Sequence, residues 1–194
     1  MSSPHQLRRA LAEYARALHA RGWVANHDGN ASVRLDQEDR FLISPTAVSK
    51  RLVAQEGIVL CDRQGRPVGR GKPPSEVALH VGAFRARPDA RAVIHAHPPF
   101  ASAFALLCVP MEPIAMPEVV VSLGDHIPLV PVLLPKDPGA ADAVGKVLQT
   151  SDVALLGGNG VIAIGHDLEQ AYLRLELVEH YATILHHARA WPRA

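Results

Sequence analysis

The segment Val93-Ile94-His95-Ala96-His97 places two imidazoles two residues apart. In an extended strand alternate residues face the same way, so His95 and His97 share a face with Val93, while Ala92, Ile94 and Ala96 point into a core. Successive same-face residues stand about 7 Å apart along a strand, close enough for both rings to turn onto one ion. Neutral imidazole nitrogen is a good ligand for zinc and neighbouring transition metals. The competing reading is a solvated or hydrogen-bonded histidine pair. Pro98 and Pro99 stop the strand immediately afterwards, so the pair sits at its C-terminal end.

A carboxylate stands in the preceding element. Pro74-Ser75-Glu76-Val77-Ala78-Leu79-His80 reads as a helix start with Ser75 as N-cap and Glu76 in the first turn. There free backbone amides and the helix dipole favour its anion, and helix stabilisation alone would account for it. His80, four residues on, shares its face, and Val77, Val81 and Phe84 form the opposite, buried face. The helix ends before Pro88 and the histidine strand follows at once, so the two elements are expected to pack together. Glu76 can then meet the two imidazoles. One carboxylate and two histidines give three protein ligands with room for water or substrate.

These elements need a frame. Residues 4–21 read as an amphipathic helix ended by Gly22, and HDGNASVRL runs from a turn into a strand. RFLISP and residues 57–61 read as strands, with a turn at Gln64-Gly65. PPFASAFALL and GAADAVGKVLQT read as helices. Residues 118 to 133 read as short strands interrupted by prolines, and DVALLGGNGVIAIG as strand, glycine turn and strand. A long helix from Asp167 to Ala190 closes the chain, with Leu168, Tyr172, Leu175, Val178 and Ala182 on one side. Strands with short links flanked by helices predict one α/β domain over 1–194 with a largely antiparallel sheet.

Composition narrows the function classes. The chain has 194 residues, 48% of them hydrophobic, and a formal charge of +1, which suits a packed core and gives no reason to invoke nucleic acid or a membrane surface. Two distant cysteines, Cys61 and Cys108, exclude a Cys-x-x-Cys zinc site. The N-terminal segment lacks a continuous apolar run and reads as neither signal peptide nor membrane span, so a cytoplasmic protein is expected.

With these residues in place, the chain resembles the class II aldolase and adducin-head family. Gly29-Asn30-Ala31-Ser32-Val33-Arg34 is similar to its Gly-Asn-x-Ser-x-Arg loop, and Ile43-Ser44-Pro45-Thr46 to its Thr-Pro-x-Gly region. Pro74-Ser75-Glu76 with His80 is similar to its Ser-Ser-Glu-x-x-x-His helix start, and His95-Ala96-His97-Pro98 to its His-x-His. The resemblance runs from about residue 5 to 190. It implies a three-layer α/β/α fold around a mixed, mostly antiparallel sheet, and a homotetramer with sites at subunit contacts. It implies a divalent metal held by His95 and His97, zinc first, with manganese, cobalt or iron as alternatives. Glu76 would be a ligand or the acid/base, and Asn30, Thr46 and Ser75 would bind a substrate phosphate.

The chain departs from the family at telling positions. The family's third histidine ligand is replaced by Asn159 in Gly157-Gly158-Asn159-Gly160. Asn159 is either a weaker amide ligand or only a turn residue, and His126 is a second candidate for the vacant role. Ala47 replaces the family's loop glycine and Pro74 its first serine; Lys50, Arg70 or Lys72 could supply the missing positive charge. No tyrosine lies between Tyr14 and Tyr172 to act as a catalytic group. The expected chemistry is metal-assisted cleavage of a carbon–carbon bond in a hydroxy-carbonyl substrate through an enediolate, with Glu76 moving the proton. Epimerisation, dehydration and decarboxylation share that intermediate, and an adducin-like binding module is the non-catalytic alternative. His186 and His187 read as surface residues at a helix end.

Overall fold

The structure is a computed structural model that describes residues 3–35, 39–131 and 137–190. Seven strands form one sheet in the order β3-β2-β1-β4-β7-β6-β5. They are β1 (Asn30–Arg34), β2 (Arg40–Ile43), β3 (Val59–Asp62), β4 (Ala92–Ala96), β5 (Leu129–Val130), β6 (Val153–Leu156) and β7 (Val161–Gly165). Every pairing is antiparallel except β5 with β6. Six helices cover the sheet: α1 (Pro4–Ala20), α2 (Val77–Ala86), α3 (Pro99–Leu106), α4 (Pro117–Leu123), α5 (Ala140–Leu148) and α6 (Leu168–Ala190). Apolar residues of α1, α3, α4 and α6 pack on one face, and those of α2 and α5 on the other. The predicted three-layer α/β/α arrangement around a mixed, mostly antiparallel sheet is therefore observed.

The central strand β4 carries the consequences of having both faces covered. Ala92, Ile94 and Ala96 enter the core beneath α6, as their alternation predicts. Val93 enters the second core beneath α2 and α5, and His95 is wholly buried on that same face. The expected division into a site face and a core face is thus too simple: the histidine face is itself interior. In the β1–β4 register Asn30 lies opposite His95 and Ser32 opposite Val93. Directly opposed residues project to the same side of a sheet, so Asn30, Ser32 and His95 look toward α2.

Helix α2 starts one residue later than the sequence suggests. Ser75 was the expected N-cap; instead Glu76 holds the cap position and makes no side-chain capping bond, because its carboxylate is engaged elsewhere. The buried face also differs. Leu79, His80, Gly82, Ala83 and Phe84 are interior, while Val77 and Val81 are only half-buried. Gly82 lies against the backbone of α5: a β-carbon there would strike the carbonyl of Ala141, so only glycine permits this helix crossing.

Residues 118–133 depart most from the predicted strands. Residues 117–123 form α4, with Pro117 in its first turn and Val119 and Leu123 buried one turn apart. Only Leu129–Val130 is strand, and residues 132 and 133 lie outside the described residues. The end of β4 is secured from α6, whose Glu179 accepts the Phe100 and Ala101 amides at 3.1 and 2.8 Å. Those are orphan donors of a helix start, and an anion there also suits the helix dipole. Among the described residues no helix is long and apolar enough to cross a membrane.

Candidate metal and catalytic site

Five of the predicted residues meet on the α2 side of β4. From the start of α2, Glu76 directs Oε2 to the Asn30 amide of β1, which donates Nδ2–H at 3.0 Å. Its Oε1 accepts Nδ2–H of Asn159 at 2.8 Å and lies 3.4 Å from His95 Nε2. His97 brings its Nε2 to 3.3 Å from His95 Nε2. These contacts join residues from four separate stretches of chain.

Hydrogen bonds fix which nitrogen of each ring faces the cluster. His95 Nδ1 lies 2.9 Å from the carbonyl oxygen of Val161, which can only accept, so Nδ1 carries the proton. His97 Nδ1 donates in the same way to Asp28 Oδ2 at 2.8 Å. In two neutral rings so tied, both Nε2 lone pairs would face each other at 3.3 Å, which is repulsive without a cation between them. The Glu76 carboxylate, 3.4 Å from His95 Nε2, favours a positive charge at that position. Burial pushes the His95 pKa down, but the Glu76 charge, the bonds to Glu76 and the Val161 carbonyl, and Asp28 prevail and raise it. Burial likewise works to raise the Glu76 carboxyl, yet the His95 charge and hydrogen bonds from His95, Asn159 and Asn30 hold it well below the usual carboxylate range. His97 is lowered by burial and by the neighbouring His95 charge, with Asp28 and Glu76 opposing.

His80 supports this arrangement from beneath. It is fully buried, and burial followed by the His95 charge lowers it to about 3, so the ring is neutral. Its Nε2–H donates to Asn30 Oδ1 at 2.5 Å, and Nδ1 accepts from the Ser32 hydroxyl at 2.6 Å. Asn30 is thereby oriented with its amide nitrogen toward Glu76. The His80 of the helix-start motif thus acts through Asn30.

The remaining candidates fall differently. Asn159 does not take a left-handed conformation; Gly158 and Gly160 do, with φ of 69° and 74°. The turn needs those glycines, and Asn159 is left free to aim its amide at Glu76. A β-carbon on Gly160 would meet the Ala96 carbonyl and the His97 ring, so the turn lies tightly on the strand end. His126 is exposed and faces Glu112 at 3.3 Å, away from the cluster. His186 and His187 are exposed and stack around Phe100. Thr46 is half-buried and gives its backbone N–H to the Lys72 carbonyl at 3.1 Å; Ser75, Arg70 and Lys72 are exposed.

One residue escapes the sequence reading, and a second has a different duty from the one expected. Asp28 was visible only as part of an Asp-Gly turn before the Gly29-Asn30 motif. Lys50, offered with Arg70 and Lys72 as a source of positive charge at the altered loops, is 2% exposed, with Nζ 3.2 Å from the His27 carbonyl. Its ammonium is occupied in bracing the loop that carries Asp28.

Ala47, at the family's glycine position, has φ of 56°. The loop therefore keeps its left-handed conformation with a residue that strains it by about 1 kcal/mol. Ala47 is exposed, so no packing opposes its replacement. Ala47→Gly should stabilise the protein by up to about 1 kcal/mol. A urea midpoint no higher than that of the native protein would contradict this account of the loop.

The donor chemistry fits a divalent cation. Metal–nitrogen bonds of about 2.1 Å at tetrahedral angles put ligand atoms about 3.4 Å apart, and the observed separations from His95 Nε2 are 3.3 and 3.4 Å. Among the described residues no three His, Cys, Asp or Glu side chains are already set as a complete cage. Both Glu76 oxygens instead accept asparagine amides, Oε2 from Asn30 and Oε1 from Asn159.

A three-layer α/β fold whose central strand ends in two imidazoles beside a half-buried carboxylate defines the class of protein. The chain belongs to the class II aldolase and adducin N-terminal domain family, which it matches over residues 9–186. It is 28% identical to the 3-oxo-tetronate 4-phosphate decarboxylase of Haemophilus influenzae, over 90% of this chain and 84% of that protein. It is 34% identical to the L-fuculose phosphate aldolase of the same organism, over 78% and 68% of the two chains. The L-fuculose-1-phosphate aldolase structure from Thermus thermophilus superposes with a TM-score of 0.84 at 28% identity, covering 97% of this chain and 99% of that one.

Proposed function

We propose that the chain is a divalent-metal-dependent lyase that cleaves a carbon–carbon bond of a small hydroxy-carbonyl substrate, a sugar phosphate, through an enediolate. The observation that carries this reading is the convergence of His95 Nε2, His97 Nε2 and Glu76 Oε1 in a buried setting. His95, His97, Glu76 and Asn159 would hold the ion, the amide of Asn159 turning to present Oδ1. Two imidazoles with oxygen donors suit zinc, with manganese, cobalt or iron as alternatives. When bound, the metal polarises the substrate carbonyl and stabilises the charge of the enediolate.

The chain's own residues supply the rest. Glu76 takes the proton of the hydroxyl on the carbon that becomes the aldehyde as the carbon–carbon bond breaks, and returns it to the enediolate carbon, leaving an aldehyde and a ketone. Asn30 and His80 hold the carboxylate in place. Thr46 and Ser75 would bind the phosphate with Lys72, which adjoins Thr46 through a backbone hydrogen bond. Buried Lys50 is excluded from that duty by its carbonyl partners.

Decarboxylation of a hydroxy-keto acid is the second reading. Ala47 and Pro74 alter the family's phosphate loops, where a carboxylate could be held instead. A relative named as a decarboxylase supports it as well. The proposed assembly is a cytoplasmic homotetramer without nucleic-acid or membrane partners. Exposed Leu106, Leu107 and Val121 offer apolar surface for subunit contacts.

The test is a panel of sugar phosphates and keto acids assayed with zinc, manganese and cobalt, alongside metal analysis and light scattering. Aldehyde release with a stoichiometric ion and a mass of four chains is expected. Carbon dioxide release would select the second reading. A protein that takes up no ion and turns over nothing would reduce the chain to an adducin-like binding module.

A further inference from the structure

We propose that Asp28 is a positioning residue for His97: its carboxylate holds the ring in the Nδ1–H tautomer, so that the Nε2 lone pair faces His95 and the metal position. This rests on the metal-site reading above and names a residue outside the motifs that define that site.

Three observations support it. Asp28 Oδ2 accepts from His97 Nδ1 at 2.8 Å. The other oxygen, Oδ1, accepts the Ala25 amide at 2.5 Å, and the Asp28 amide returns a bond to the Ala25 carbonyl at 3.0 Å. The carboxylate is therefore fixed by its own loop before it meets the histidine. That loop is also tied to the strand end, since the His97 amide donates to the Trp23 carbonyl at 2.8 Å. Below it, the Lys50 ammonium holds the His27 carbonyl at 3.2 Å. A rigid acceptor behind an imidazole fixes its tautomer and raises its basicity as a ligand.

The arrangement matters more here than where three imidazoles surround the ion. With an asparagine at the third position, His95 and His97 supply all the nitrogen donors of the cluster. A wrong tautomer at His97 would halve them and would place an N–H against His95 Nε2.

Asp28→Asn separates this role from a structural one. The asparagine Oδ1 can still accept the Ala25 amide, leaving Nδ2–H to face His97 Nδ1. A backbone donor cannot change, whereas a ring can exchange tautomers, so His97 should switch to Nε2–H. Nitrogen-15 chemical shifts of the histidines in the metal-free protein report this directly, and competition with a chromophoric chelator reports zinc and cobalt affinity. The expected results are the Nε2–H tautomer, affinity lower by about 10- to 100-fold, and a melting temperature close to native. Asp28→Ala should lose affinity similarly but destabilise the loop as well. Native zinc affinity in Asp28→Asn, or a His97 that stays Nδ1–H, would overturn the inference. If the native protein binds neither ion, the metal reading fails, and the tautomer measurement still decides the role of Asp28.

Discussion

On the proposed metal-dependent reading, His95→Ala protein should be isolated without a divalent ion and without turnover. His95 stands between the other two donors, 3.3 Å from His97 Nε2 and 3.4 Å from Glu76 Oε1. Removing it takes away a nitrogen ligand and the group that links the remaining ones. Loss of an outer partner of a metal ligand costs about 10- to 100-fold; loss of the ligand itself should cost about 10³-fold or more in turnover. The same change removes one hydrogen-bond donor of the Val161 carbonyl and empties a fully buried position, so the variant also needs a fold control. His97→Ala provides it. That side chain is 30% exposed and its ring packs less deeply, so metal and activity should fall while the melting temperature moves little. Plasma emission analysis gives metal per chain and a product assay gives turnover. Full metal content and native rate in both variants would remove these histidines from the site.

The sequence made the site legible wherever a side chain's role follows from local periodicity. His95 and His97 are two apart in an apolar segment bounded by prolines, and strand alternation alone puts them on one face. Glu76 is placed by the helix start that follows Pro73 and Pro74, although only the fold shows that its carboxylate leaves the helix end to meet the asparagines. Residues 117–123 misled because Val119, Val120 and Val121 form a β-branched run of the kind that favours strands. Pro117 in the first turn and burial of Val119 with Leu123 made it a helix instead. Tertiary packing overrides such weak preferences. Asp28 and Lys50 were beyond local reasoning. Asp28 acts on a histidine 69 residues away, and Lys50 is buried by a loop whose path depends on the whole edge of the sheet. The Asn159 departure was visible in sequence, but not its use, since its amide donates to Glu76 across 83 residues.

Glu76→Gln should retain bound metal yet lower turnover by about 10²- to 10⁴-fold, the usual contribution of a positioned proton-transfer group. Opposed influences on its carboxyl suit Glu76 to carry a proton. Burial favours its neutral form, while the His95 charge and three hydrogen bonds favour the anion and prevail. A proton on His95 and a cation between the imidazoles exclude each other, because both use the same Nε2 lone pair. With an ion held by His95, His97 and Asn159, Glu76 would keep the hydrogen bond from Asn30 and would be placed beside the substrate to take up and return a proton. Glutamine has nearly the same shape and still offers Oε1 as a weak donor, but it cannot pick up and deliver a proton. The discriminating measurement is a rate under saturating metal, paired with metal content. Slow turnover with the ion in place is the expected result. Loss of the ion would assign Glu76 a ligand's role above all, and a native rate would show that the proton moves through another group.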